Sequence, residues 1–314
     1  MTISRYKTIF GPVPSRRLGV SLGIDIIPFK TCTYNCVYCE CGATTDLTLE
    51  RKPYVDAETV LLELEQSLSN LDHVDYITFS GSGEPTLNMD LGRMIVDIKQ
   101  LTKIPIAVLT NGSLMYREDV VRDLLPADVI LPSLDAVSTK LFSRINRPHS
   151  KLKISQIIGG LLNFRQRYPG KIWLEIFIVK GINDGGDELN NLYCVIKKIN
   201  PDRAQLNSLD RPPTDSSVKP VDMKVLENIK NGWVDIPVEI IKRIRKREEI
   251  AAFSKNLENS IIDTISRRPL NIEDLVQLTG KNKLEIFKYI DVLEREKKIY
   301  SEIVGDKIYY VSVK

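Results

Sequence analysis

The chain has 314 residues, 43% hydrophobic and 27% charged, which suits one large domain plus a small one and excludes a low-complexity or broadly disordered protein. The formal charge of +3 dictates no partner, and five basic side chains are gathered at Lys242, Arg243, Arg245, Lys246 and Arg247. Residues 1–17 resemble no secretory signal, and no run of about 18 apolar residues would span a membrane, so a cytoplasmic location is expected.

Short β-branched runs alternate with amphipathic stretches. Residues 22–26 read as a strand leading into a cysteine-rich loop. Asp56 can cap a helix whose apolar face is Val60, Leu61, Leu64 and Leu68. Further strands are predicted at 76–80, 104–110, 129–133, 173–179 and 203–207. Helical patterns lie between them at 91–101, 117–125, 138–145, 154–168 and 188–199. Six strands separated by helices imply an α/β fold with a parallel sheet and right-handed crossovers, a complete or partial (β/α)₆ barrel. Polar clusters follow the strands at Ser80–Glu84, Thr110–Gly112, Ser133–Asp135 and Lys180–Asp184, and in such a barrel they share one rim.

Residues 207–221 hold Pro212, Pro213 and Pro220 and read as a loop, with a last strand at 238–241. Residues 257–314 read as a separate unit. Apolar spacing marks three helices, at Ile261, Ile262 and Ile265, at Ile272, Leu275 and Leu278, and at Leu284, Phe287, Ile290 and Leu293. A ribbon turning at Gly305-Asp306 follows, which suggests a winged helix-turn-helix. The expected division is 1–244, a basic linker at 245–256, and 257–314. The last unit carries ten basic and ten acidic residues, so it presents no one-sided phosphate-binding charge.

Four of the five cysteines fall within ten residues, at Cys32, Cys36, Cys39 and Cys41. In a reducing compartment this points to metal or redox chemistry. Three closely spaced thiolates can hold three irons of a [4Fe–4S] cubane and leave one corner open to a substrate or cofactor. A structural zinc, or an electron-transfer cluster with Cys41 as fourth ligand, is the plainer alternative. Cys194, in a helical pattern, reads as a buried thiol.

Cys32-x-x-x-Cys36-x-Tyr38-Cys39 resembles the cluster motif of the radical S-adenosylmethionine (SAM) superfamily, whose aromatic residue packs near the adenine. Ser82-Gly83-Glu84-Pro85 resembles the superfamily's Gly-Gly-Glu-Pro motif, which receives the SAM ammonium, with Ser in place of the first Gly. The stretch from Gly11-Pro12-Val13-Pro14-Ser15-Arg16-Arg17 to Cys39 resembles a branch grouped with the wyosine-forming tRNA enzymes. That resemblance covers residues 9–211, including Asn146-Arg147-Pro148-His149. It implies a radical SAM partial barrel, with Cys32, Cys36 and Cys39 on the cluster and Tyr38, Ser82, Gly83 and Glu84 seating SAM. It further implies reductive SAM cleavage to a 5′-deoxyadenosyl radical for hydrogen abstraction, a ferredoxin- or flavodoxin-like electron donor, and an RNA base as substrate. The wyosine-forming enzymes carry a second cysteine-bound cluster, for which this chain has only Cys41 and Cys194 left over. A protein or small-molecule substrate therefore stays open. So does a different class, an iron–sulfur regulator using the winged helix on DNA.

Among the other rim residues, Asn111, Ser133 and Asp135 suit SAM hydroxyls or carboxylate, or else a tight turn and a helix cap. Arg16 and Arg17 suit a substrate clamp or a solvated surface. Asn183 and Asp184 suit a substrate contact or a turn. Glu175 and Phe177 share a strand face, and a buried Glu175 would need a partner. His73 reads as a surface residue, and His149 as part of a loop.

Overall fold

The computed structural model describes residues 8–241 and 257–313, apart from 70, 72, 210–212, 259–260, 263–264, 266–268, 280 and 305–306. The basic run at 242–247, the linker and the turn residues Gly280, Gly305 and Asp306 lie outside the described residues.

Eight strands form one sheet in the order β1-β2-β5-β6-β7-β8-β9-β10. These are β1 (Ile9–Ser15), β2 (Gly19–Ile24), β5 (Tyr76–Phe79), β6 (Ile106–Thr110), β7 (Val129–Pro132), β8 (Lys171–Ile178), β9 (Arg203–Ser208) and β10 (Val238–Ile240). From β2 to β10 every neighbouring pair is parallel, and β1 joins β2 antiparallel. Parallel neighbours need crossovers, here supplied by α1 (Ala57–Leu68), α2 (Leu91–Leu101), α3 (Glu118–Leu124), α4 (Thr139–Ile145), α5 (Ile154–Arg167), α6 (Gly186–Ile199) and α7 (Met223–Gly232). The cap at Asp56 is as expected, its carboxylate accepting from the Thr59 N–H at 2.9 Å. A short parallel pair, β3 (Thr31–Cys32) with β4 (Asp46–Leu47), brackets the cysteine loop.

The sheet adds two strands to the six of the barrel: β10, where a last strand is expected at 238–241, and β1, which the sequence does not announce. The sequence reading omitted β1, whose Pro12 and Pro14 argue against a strand; its place at the sheet edge is where proline is tolerated. The helix α7 was also missed, since only Leu226 and Ile229 of it are buried.

The sheet curls. Arg17, just before β2, lies 3.0 Å from Glu175 on β8. Four strand spacings of about 4.8 Å would separate them by about 19 Å on a flat sheet, beyond the reach of two side chains. The convex face, including Ile77, Phe79, Val108, Ile130, Leu174 and Leu206, is buried under the helices in the main core. The concave face holds a smaller apolar cluster of Leu18, Ala107, Val129, Leu131 and Trp173. Above this cluster the same face turns polar, with Glu175, Gln205 and Asn207.

Residues beyond 256 bury their own core around Ile261, Leu275, Ile286, Ile290 and Leu293. The elements are β11 (Leu270–Asn271), α8 (Ile272–Thr279), α9 (Lys283–Arg295) and an antiparallel ribbon of β12 (Ile299–Val304) and β13 (Lys307–Ser312). Leu284, expected in that core, lines a cavity facing the sheet unit instead, and Phe287 packs against the core only partly buried, at the edge of a second cavity. The core stripe of α9 is Ile286, Tyr289, Ile290 and Leu293. Cys194 is exposed, contrary to the expected burial. The buried face of α6 is set by Glu188, Leu192, Ile196 and Ile199, and a residue two positions from Leu192 points to the far side.

Candidate cofactor site at the cysteine loop

The loop carrying Cys32, Cys36 and Cys39 is held by three other segments. The first follows α4: Ile145 and Asn146 carbonyls accept from the Val37 and Asn35 N–H groups, and the His149 N–H donates to Thr33. Tyr34 and Pro148 form an isolated bridge. This gives the Asn146–His149 stretch a structural role that its sequence did not disclose. The second is 214–215, whose Thr214 N–H and hydroxyl donate to the Cys39 carbonyl at 3.1 and 2.8 Å. The third is the stretch after β5. A side chain on Gly83 would meet the Thr31 carbonyl at 2.1 Å, so only glycine allows this approach.

Each of these three cysteines has its own nitrogen donor. The Lys30 ammonium lies 3.0 Å from Cys39 Sγ, the Asn111 amide 3.5 Å from Cys32 Sγ, and the Asn146 amide 3.6 Å from Cys36 Sγ. Burial first, then the Glu84 charge, pushes the Cys32 thiol up to about 12. Burial and Asp135 also raise Cys36. Cys39 is lowered to about 5, first because Cys41 donates to it and then by the Lys30 charge. Lys30 and Asn146 were not singled out from sequence, since nothing local marks them as sulfur partners.

Glu84 is fully buried. Its Oε1 accepts from the Thr86 N–H and hydroxyl and from the Thr110 hydroxyl at 3.1, 2.6 and 2.6 Å, and its Oε2 from the Asn111 N–H at 2.7 Å. The carboxylate thus ties the turn after β5 to the end of β6. Ser82 donates to Asp25, which burial raises to about 6. Asn111 spans the rim, its amide reaching Thr33 at 2.8 Å and its Oδ1 accepting from the Ser113 N–H.

Tyr38 stacks on Phe177 with centroids 3.9 Å apart and donates its hydroxyl to Asp135 at 2.6 Å. Asp135 also accepts from the Asn146 amide and the Phe177 N–H, and burial raises it to about 6. It caps no helix; Ser138 caps α4, accepting from the Leu141 N–H. Asn183 is buried and donates to the Asp135 and Phe177 carbonyls, so it closes the turn after β8. Glu175 has the partners that burial demands: Arg17, Asn207 at 2.9 Å and Ser133 at 3.4 Å. His73 is at the surface beside Asp75.

Among the described residues, no three His, Cys, Asp or Glu side chains converge to hold a single metal ion. A multi-iron cluster binds each thiolate at a separate iron and needs no such convergence. Three half-buried sulfurs on one loop, each with an N–H donor, fit a cluster of that kind.

At 34% identity, the chain is similar to a UPF0026 protein of Methanocaldococcus jannaschii over 96% of its own length and 95% of the relative's. It is 36% identical to a GTPase Obg of Brachyspira hyodysenteriae over 98% of its length, but spans only 46% of that protein. The fold resembles a radical SAM methyltransferase of Sphaerobacter thermophilus, with TM-score 0.54 and 16% identity over 70% of this chain and 65% of that one. Residues 26–192, more than half of the chain and including the cysteine loop and the Glu84 strut, match the Radical SAM superfamily. The chain belongs to the radical SAM superfamily.

Proposed function

We propose that the protein is a radical SAM enzyme that abstracts hydrogen from a substrate held in the concavity of a partial (β/α)₆ barrel. The observation that carries this reading is the set of three loop cysteines with three separate N–H donors, while the fourth nearby thiol, Cys41, is turned onto Cys39. Cys32, Cys36 and Cys39 would hold a [4Fe–4S] cluster beside SAM, and the pair supplies reductive sulfonium cleavage and a 5′-deoxyadenosyl hydrogen abstractor. Glu84 positions Thr110 and Asn111 on the rim. Asp135 fixes Tyr38 in its stack on Phe177. Ser82, Gly83, Asn111 and Ser133 would help to seat SAM, and of these Asn111 reaches the Cys32 sulfur.

We read the helix pair and ribbon beyond residue 256 as a winged helix and assign it a covering role. A cavity of about 460 Å³ separates it from the cysteine loop, lined by Cys39, Cys41, Phe287 and Ile290. Glu40, Glu273, Asp291 and Glu294 face Lys283 there, a balance unfavourable to a phosphate backbone. An external one-electron donor of ferredoxin or flavodoxin type completes the scheme. Among the described residues no helix is long and apolar enough to cross a membrane.

Anaerobic reconstitution with iron and sulfide, followed by dithionite and SAM, tests the reading. The expected product is 5′-deoxyadenosine, and Cys36→Ala abolishes both cluster absorbance and product. An intact cluster that yields no 5′-deoxyadenosine but confers salt-sensitive DNA binding favours the regulator instead.

A further inference from the structure

Four neighbouring strands place one polar residue each in a row across the concave face. Ser133, after β7, bridges Glu175 on β8; Glu175 pairs with Gln205 on β9, and Gln205 with Glu239 on β10. Two arginines serve the row, Arg17 beside Glu175 and Arg203 beside Glu239, each at 3.0 Å. The Arg203 guanidinium also lies over the Trp173 ring at 4.4 Å. Gln205 donates its amide to Glu239 at 3.1 Å. Among the described residues, however, its Oε1 is buried with no hydrogen-bond partner, and so is Trp173 Nε1 on the next rung. Gln205 is 0% exposed and Trp173 5%. An unpaired acceptor and an unpaired donor on adjacent rungs of a buried face cost stability unless something polar meets them.

The row adjoins the candidate cofactor site. Glu175 lies two residues before Phe177, on which Tyr38 stacks, and its charge helps to raise Asp135. At its β10 end, through Glu239 and the two arginines Arg17 and Arg203, the row borders a cavity of about 610 Å³ between the β1–β2 turn and β10, a volume suited to a small molecule. Arg16, Arg17, Arg203 and Lys230 line that cavity against Glu227 and Glu239, an excess of positive charge.

We propose that this row is the substrate seat, and that the substrate is a small molecule with an anionic carboxylate or phosphate held by Arg17 and Arg203. A neighbouring N–H or O–H of the substrate is taken by Gln205 Oε1, and an acceptor atom by Trp173 Nε1. Guanidinium groups that already face carboxylates can exchange one anion for another without being left bare. The seat rests on the radical SAM reading, because it supplies the C–H bond that such chemistry needs.

The test uses the reconstituted full-length holoenzyme with dithionite, unlabelled SAM and fractions of cells grown in deuterium oxide. The fractions are anionic small molecules, other small molecules, RNA and protein. A substrate C–D bond breaks, a C–D bond forms at the 5′ carbon and the unpaired electron passes to the substrate, so 5′-deoxyadenosine gains deuterium. Label is expected from the anionic fraction; its loss after phosphatase treatment identifies a phosphate, and its survival a carboxylate. Arg17→Gln and Gln205→Leu should each lower the labelled share of product by roughly tenfold or more. Arg17→Lys should recover part of it, and cluster absorbance checks that each variant is folded. Label from RNA, protein or uncharged molecules, no label from any fraction, or a labelled share unchanged in the variants overturns the seat. A complete lack of 5′-deoxyadenosine, labelled or not, removes the radical SAM reading itself and the seat with it.

Discussion

The donors around the sulfurs differ in charge, and this gives them different weights. Lys30 brings a full positive charge to Cys39, whereas Asn111 and Asn146 bring neutral amides. A cation beside a thiolate favours the more negative, reduced cluster. Lys30→Met should therefore lower the midpoint potential by on the order of tens of millivolts, read by redox titration of the reconstituted protein. An unmoved potential would show that Lys30 is only a structural neighbour. Asp135 makes a separate prediction. Its folded value of about 6 lies above the ordinary 3.8, so the folded chain holds this proton more readily than the unfolded one. The group thus favours folding at low pH, and that contribution is lost as pH rises from about 4 through 6. Relative to the parent, Asp135→Asn should gain up to about 3 kcal/mol between the two ends of that window. Urea unfolding of the cluster-free protein at both pH values measures the difference.

Among the elements, the turn after β5 depends on one arginine. Arg51, its side chain only 6% exposed, donates to the Thr86 and Asn88 carbonyls and pairs with Asp119 and Asp123 of α3. Arg51→Met leaves those carbonyls and carboxylates without their partner and should cost about 2–4 kcal/mol, visible as a lower denaturation midpoint. Such anchors are tertiary and leave no local pattern. The parallel strands were legible because alternating apolar runs and helical spacing recur from residue 76 to 207. The strand β1 was hidden by Pro12 and Pro14, and α7 by its thin buried face. In the site, the cysteine spacing and the Gly83-Glu84 turn could be read directly. Lys30, Asn146 and Thr214 could not, since their partners lie 9, 110 and 175 residues away.

The whole molecule has two main cores, one under the sheet and a smaller one beyond residue 256. Among the described residues they meet at the Gly11 N–H, which donates to Glu285 at 3.4 Å, and at Lys283, which lies over the Phe29 ring. Both tryptophans, Trp173 and Trp233, belong to the sheet unit. Tryptophan fluorescence should thus follow that unit alone, while far-ultraviolet circular dichroism follows both. The expected result is two non-coincident denaturation curves, with the dichroism beginning to change at lower denaturant; superimposed curves would mean that the two cores unfold as one.

The clasp of Thr214 on the carbonyl of Cys39 also bears on biosynthesis. A ribosome that has made the three cysteines must add some 175 further residues before their loop is fastened. Iron and sulfide delivered to a nascent chain would find an unfinished cradle. Maturation is accordingly expected after release of the sheet unit from the ribosome, which leaves an interval in which the bare thiols depend on their surroundings for protection.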